Sequence, residues 1–116
     1  MKIKKPFGCG LGPVFDFVGG RWKANILWDL SQQELRFTEI RRRTLGISEK
    51  MLIQQLKELE AHGLIQRIDY QEMPLRVGYT LTDEGRKINQ LMLPLAEWGK
   101  EYAHKIDVVD DYINVN

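Results

Sequence analysis

A single cysteine, Cys9, leaves the chain without any intrachain disulfide. The fold must therefore hold on its core alone, and a reducing compartment suits it. That thiol and two scattered histidines, His62 and His104, do not make a zinc site. No apolar run is long enough to cross a bilayer, so a membrane partner is not expected. The opening "MKIKKPFGCG" carries lysines in the manner of a signal peptide, but Pro6, Gly8 and Gly10 interrupt any apolar segment behind them. The expected location is the cytoplasm. Nucleophile–base pairs and paired carboxylates are lacking as well. "GCGLG" is glycine-rich, yet it follows no strand and lacks the Lys-Ser/Thr of a phosphate loop. Neither an enzyme nor a cofactor is implied. Net charge is only +1, so total charge names no partner.

What the chain does have is ordinary globular material, unevenly charged. Its 116 residues, 43% hydrophobic and 28% charged, suffice for one domain, residues 1–116, with a core of its own. Six cations (Arg36, Arg41, Arg42, Arg43, Lys50 and Lys57) and two anions (Glu39 and Glu49) fall between Arg36 and Lys57. That stretch is +4, which leaves −3 for the rest. A basic middle beside an acidic end (Asp107, Asp110, Asp111) suits an anionic partner.

Residues 1–12 read as an irregular arm. Pro13 suits a first helical turn, and "PVFDFV" then reads as a short apolar helix ended by Gly19-Gly20. "RWKANILWDL" spaces Trp22, Ile26 and Leu30 as a helix that "SQQE" breaks. "RFTEIRRRTLG" gives a shorter helix on Phe37 and Ile40. Ser48 is a natural N-cap for the next, in which Leu52, Leu56 and Leu59 form one stripe and Gly63 is the C-cap. Two helices around the turn "TLGI" make a helix-turn-helix. "LIQRIDY" and "VGYTLT" read as a hairpin turning through "QEMPLR". Thr82 then caps a long helix whose stripe is Ile88, Leu91, Met92, Leu95, Trp98, Tyr102 and Ile106, with Pro94 expected to kink or split it. The expected fold is mainly α with a small β-hairpin wing: a winged helix-turn-helix.

On a wheel of about 100° per residue, Lys50, Gln54 and Lys57 lie opposite the leucines. Their column holds no acid, with Glu49, Glu58 and Glu60 displaced from it. Solvated faces usually mix signs, whereas two cations and an amide are groups that bond guanine and adenine edges in the major groove. Lys50 and Gln54 are the candidate base readers, with Met51 and Gln55 at the rim. Ser48 lies at a helix N-terminus that favours a phosphate. Arg36, Arg42 and Lys57 are candidate phosphate contacts, and Arg76 at the hairpin tip is a candidate wing contact.

These residues resemble the HxlR-type winged helix-turn-helix transcription regulators, relatives of the MarR-like group. The likeness runs from about Cys9 to Trp98. It is carried by "GGRWKANIL", "RFTEIRRR", "GISEKMLIQQLKELEAHGLIQR" and "MPLRVGYTLTDEGR", which are collinear with that family's motifs. Two positions depart from it. Gly78 stands where the family usually has Glu, which loosens the return strand and removes a carboxylate. Gly10 replaces the usual proline after Cys9. The resemblance implies a homodimer built from the first and C-terminal helices, a two-fold DNA site, and repression or activation at a promoter.

The residues point to a dimer too. The stripe within 83–106 is longer than a domain this size needs for its own core, although it and "PVFDFV" could instead complete a monomer core. Two modules gain avidity, with half-sites about one helical turn, roughly 34 Å, apart. Cys9 reads either as a thiol switch for an oxidant or electrophile, helped by Lys4 and Lys5, or as an inert small residue. Met73 and Met92 read as packing or rim residues, His62 as a helix-end cap and His104 as surface. The competing class is a winged helix used for protein interaction without DNA. A small-molecule pocket near Trp22, Trp28 or Trp98 is compatible with either.

Overall fold

The leucine stripe at 52, 56 and 59 organises the molecule. The computed structural model describes residues 8–106. In order it contains α1 (Leu11–Val18), α2 (Lys23–Gln32), α3 (Phe37–Arg43), α4 (Glu49–Ala61), β1 (Ile65–Asp69), β2 (Val77–Leu81) and α5 (Asp83–Lys105). Leu52, Leu56 and Leu59 of α4 are buried with Ile26, Leu27 and Leu30 of α2, Ile40 of α3 and Ile65 and Leu81 of the hairpin. Helix α2 runs through the middle and packs on α3, β2 and α5.

Each boundary of α4 has a local cause. Thr44, buried after α3, donates its hydroxyl to the Ile40 carbonyl at 2.8 Å. Gly46 then takes φ +86°, where L side chains are disfavoured, and turns the chain towards Ser48. The Ser48 hydroxyl accepts from the Met51 N–H at 3.1 Å, capping α4. At the far end Gly63 has φ +75°. The Leu64 N–H reaches the Leu59 carbonyl and the Gly63 N–H reaches Glu60, both at 3.0 Å. This is a Schellman motif, which satisfies carbonyls the helix leaves open.

The hairpin is antiparallel, in register from Ile65 opposite Leu81 to Asp69 opposite Val77. Leu35 and Tyr79 exchange backbone hydrogen bonds of 3.1 and 2.8 Å, so the α2–α3 connection adds a bridge to the outer edge of β2. Thr82 joins the elements at the other end. Its hydroxyl donates to the Gly63 carbonyl at 2.6 Å and accepts from the Gly85 N–H at 3.1 Å, capping α5. A Cβ on Gly85 would overlap the Leu64 carbonyl oxygen. Glycine is therefore what allows α5 to start so close to the end of α4.

Five helices and one hairpin form the expected winged helix-turn-helix. Three boundaries differ from expectation. Helix α1 begins at Leu11, so that Pro13 lies in its first turn. Helix α2 continues through Ser31 and Gln32, with the Ser31 hydroxyl turned back to the Trp28 carbonyl. Helix α5 is one element through Pro94; the missing N–H costs it a bond to Gln90 without ending it. Gly78 does not loosen its strand, since it pairs with Ile68, and the carboxylate of Glu34 fills the space its side chain would take. Residues 1–7 of the expected arm, including Lys4 and Lys5, and the acids at 107, 110 and 111 lie outside the described residues.

Candidate nucleic-acid interface

With its leucines inward, α4 turns Lys50, Met51, Gln54 and Lys57 to solvent and leaves Gln55 half-buried. Arg42, on the last turn of α3, is exposed as well, and its neighbour Arg41 reaches Glu49 at the start of α4 at 3.7 Å. Among the described residues Arg42, Lys50 and Lys57 form no ion pair, so their charge is available to an outside anion. Ser48 is exposed at the N-terminus of α4. Its oxygen serves the cap, while its O–H remains able to donate. Gln55 reaches the Met51 sulfur at 3.5 Å, which steadies the rim.

One expectation about this face needs correction. The sequence sets the column apart from any acid, whereas in the fold the Gln54 amide nitrogen donates to Glu58 Oε2 at 3.1 Å. The other oxygen, Oε1, meets Lys23 Nζ at 2.6 Å. Lys23 is only 7% exposed in its side chain and Glu58 19%. The Lys23 hydrogen bond holds the Glu58 carboxyl below its ordinary range, against burial, with smaller help from Gln54 and from the charges of Lys23 and His62. A chain of contacts thus runs from inside α2 to the outer face of α4. Thirty-five positions separate Lys23 from Glu58, and no local periodicity predicts their contact.

The wing is more self-engaged than its sequence suggests. The Arg76 guanidinium lies 4.0 Å from the Tyr70 ring centroid, and its Nη1 is 3.5 Å from Glu72 Oε1. Tyr70 in turn donates its hydroxyl to the Glu34 carboxylate at 2.8 Å, and this bond raises the phenol's pKa. Arg76 remains partly exposed, but it is positioned by its neighbours. Arg36 caps α3, its N–H bonded to Glu39 Oε1 at 2.9 Å, and its side chain is exposed. Arg36 and Arg76 share an open recess with Glu34, Leu35, Glu39 and Glu72. Three carboxylates offset the two guanidiniums there, so the cationic surface centres on α4 and Arg42.

Two further features escaped the sequence. Asp29 is 4% exposed, with Oδ2 lacking a partner. Burial raises its pKa, opposed by the charge of Arg43. His62 does sit at the C-cap of α4, but its ring packs edge-on to Phe17 at 4.9 Å. Cys9 is exposed just before α1. Met73 is 96% exposed at the wing tip, while Met92 packs against the core. The α5 stripe divides: Ile88 and Met92 pack inward, whereas Leu91 (67%), Leu95 (62%) and Trp98 (61%) stay open to solvent. Tyr102 stacks on Trp98 at 5.1 Å. Leu11 and Phe15 of α1 are likewise exposed. No helix among the described residues is long and apolar enough to cross a membrane.

Comparison with known proteins places this arrangement. The family described as HxlR-like helix-turn-helix matches residues 17–107. The chain is 37% identical over 103 residues to the HTH-type transcriptional regulator YdeP of Bacillus subtilis (strain 168), covering 89% of this chain and 80% of that one. It is 43% identical over 95 residues to an HTH-type transcriptional regulator of Methanothermobacter thermautotrophicus, covering 82% and 72%. Among solved structures, the redox regulator HypR in its reduced form superposes with a TM-score of 0.80 at 33% identity, over 87% of this chain and all of that one. These relatives are transcriptional regulators, not enzymes. With the match spanning the helix-turn-helix, the wing and α5, the chain belongs to the HxlR-like helix-turn-helix family of DNA-binding transcriptional regulators.

Proposed function

We propose that two copies of the chain pair through α1 and the C-terminal half of α5, and that the pair occupies a two-fold promoter site with one α4 per half-site. The observation that carries this reading is the division of α4. Its leucines anchor the core, and Lys50, Gln54 and Lys57 stand outward, with Arg42 exposed on the preceding helix. Lys50 and Gln54 read base edges, with Met51 and Gln55 at the rim. Arg42, Lys57 and Ser48 hold phosphates, and Arg36 and Arg76 hold the flanking backbone next to their own carboxylates. The open apolar residues of α1 and α5 support pairing, since a patch of that kind on a single chain marks an interaction surface.

A gel shift with wild type, Lys50→Ala and Arg42→Ala tests the assignment. Lys50→Ala relaxes preference at one base pair by about 1–3 kcal/mol. Arg42→Ala weakens all sequences alike and flattens the salt dependence. Unchanged affinity and preference in both variants refutes it, and wild-type protein indifferent to duplex DNA favours a protein-interaction role instead.

A second reading concerns the effector. Cys9 is exposed next to α1, where the proposed dimer forms, and one structural relative is described as a redox regulator. Two Cys9 thiols would lose two protons and two electrons to an oxidant such as diamide, forming an intersubunit disulfide and shifting DNA affinity. Wild type that responds to diamide while Cys9→Ser does not supports this; equal behaviour of the two contradicts it.

A further inference from the structure

We infer that Glu58, anchored by buried Lys23, is a positioning residue that sets the amide of Gln54 for adenine. This inference rests on the DNA-binding reading above and deepens it. Glu58 touches no groove in that reading; it acts through Gln54.

The argument is one of hydrogen-bond direction. An ionised carboxylate only accepts. Glu58 is kept ionised by the ammonium 2.6 Å from its Oε1, and its Oε2 lies 3.1 Å from the Gln54 amide nitrogen. The Gln54 NH2 must therefore face Glu58, because the opposite flip would set two acceptor oxygens against each other. One N–H is thereby taken. The Oε1 carbonyl and the second N–H remain, an acceptor beside a donor. In the major groove adenine presents the complement, the N6 amino group beside N7. Guanine offers only acceptors on its edge, thymine one acceptor and a methyl, and cytosine one amino group. Glu58 cannot turn away, because its other oxygen is held by Lys23, whose side chain is 7% exposed and itself fixed by packing. Without that anchor a glutamine on a helix surface samples both flips and several rotamers. It then accepts more than one base, and loses freedom on binding any of them.

The test selects binding sites from a random-sequence duplex library with the full chain. The proteins are wild type, Gln54→Ala, Lys23→Arg and the double variant Lys23→Met/Glu58→Gln. The double variant removes both charges together, so no buried ion is left alone, and its folding is checked by circular dichroism and thermal melting. Comparison with Gln54→Ala identifies the position that Gln54 reads. We expect adenine at that position in each wild-type half-site. Its preference should fall by about two- to tenfold in the double variant, the range expected from freeing one long side chain. Lys23→Arg should retain it. Salt dependence should be the same in wild type and the double variant, since net charge is unchanged and no phosphate contact is lost. A merely structural role would weaken every sequence alike and leave the base preference intact. Guanine, cytosine or thymine at the Gln54-dependent position overturns the inference, as does a folded double variant with undiminished adenine preference. Those outcomes leave DNA binding standing. Wild type that enriches no duplex refutes the DNA reading itself, and this inference with it.

Discussion

Removing one member of the Lys23–Glu58 pair should be costly, and removing both nearly free. At 2.6 Å and an effective dielectric near 20, the bare attraction is about 6 kcal/mol. Desolvation offsets most of that, because side chains 7% and 19% exposed have given up most of their water. A single substitution abolishes the attraction and leaves the other ion's desolvation unrelieved, a loss of about 3–5 kcal/mol. The two singles should differ. Glu58→Gln strands the more buried ammonium and belongs near 5 kcal/mol, about the upper end of that range. Lys23→Met leaves a carboxylate that keeps Gln54 and some solvent, so it belongs near 3 kcal/mol, about the lower end. Lys23→Met/Glu58→Gln should lie within about 1 kcal/mol of wild type. Urea unfolding at fixed protein concentration measures all four proteins, fixed because a dimer's stability depends on concentration. A coupling energy below about 0.5 kcal/mol, where independent sites fall, would refute the reasoning. The pH dependence carries a sign of its own. The Glu58 carboxyl is lowered in the folded state, so its contribution is present above the ordinary carboxylate pKa. It is lost as pH falls through the folded value. That acid loss should be absent from the double variant.

Other expectations follow from single contacts. Gly85→Ala drives a methyl into the Leu64 carbonyl and should cost about 1–3 kcal/mol, read as a lower thermal midpoint; an unchanged midpoint contradicts the close approach. Ser48→Ala removes the α4 cap and should cost about 1 kcal/mol in denaturant unfolding. Tyr70→Phe keeps the ring under Arg76 but frees Glu34. Amide exchange in the wing should accelerate, while α4 amides exchange as in wild type.

The helix-turn-helix was legible because its signals are local. Leu52, Leu56 and Leu59 repeat at helical spacing, Ser48 sits where an N-cap belongs, and Gly63 occupies a position that requires positive φ. The hairpin was legible from its alternation and its turn. The ties between distant segments were not. The burial of Lys23 leaves no mark in its own segment, because nothing within α2 reveals that Glu58, on another helix, will cover it. Gly78 looked like a weakened strand, because the carboxylate filling its place comes from Glu34, in a segment that read as a helix break. Arg76 looked free, because its stacking on Tyr70 depends on how the turn closes. On α5 the stripe was visible, but which of its members pack inward (Ile88, Met92) and which stay open (Leu91, Leu95, Trp98) depends on packing against distant elements such as α2.

The most direct test of a paired scaffold presenting one α4 per half-site is guanine N7 methylation protection on a selected duplex. The account predicts two protected major-groove tracts on one face, about one helical turn or roughly 34 Å apart, both weakened by Lys50→Ala. A single tract, or protection indifferent to Lys50, would contradict it.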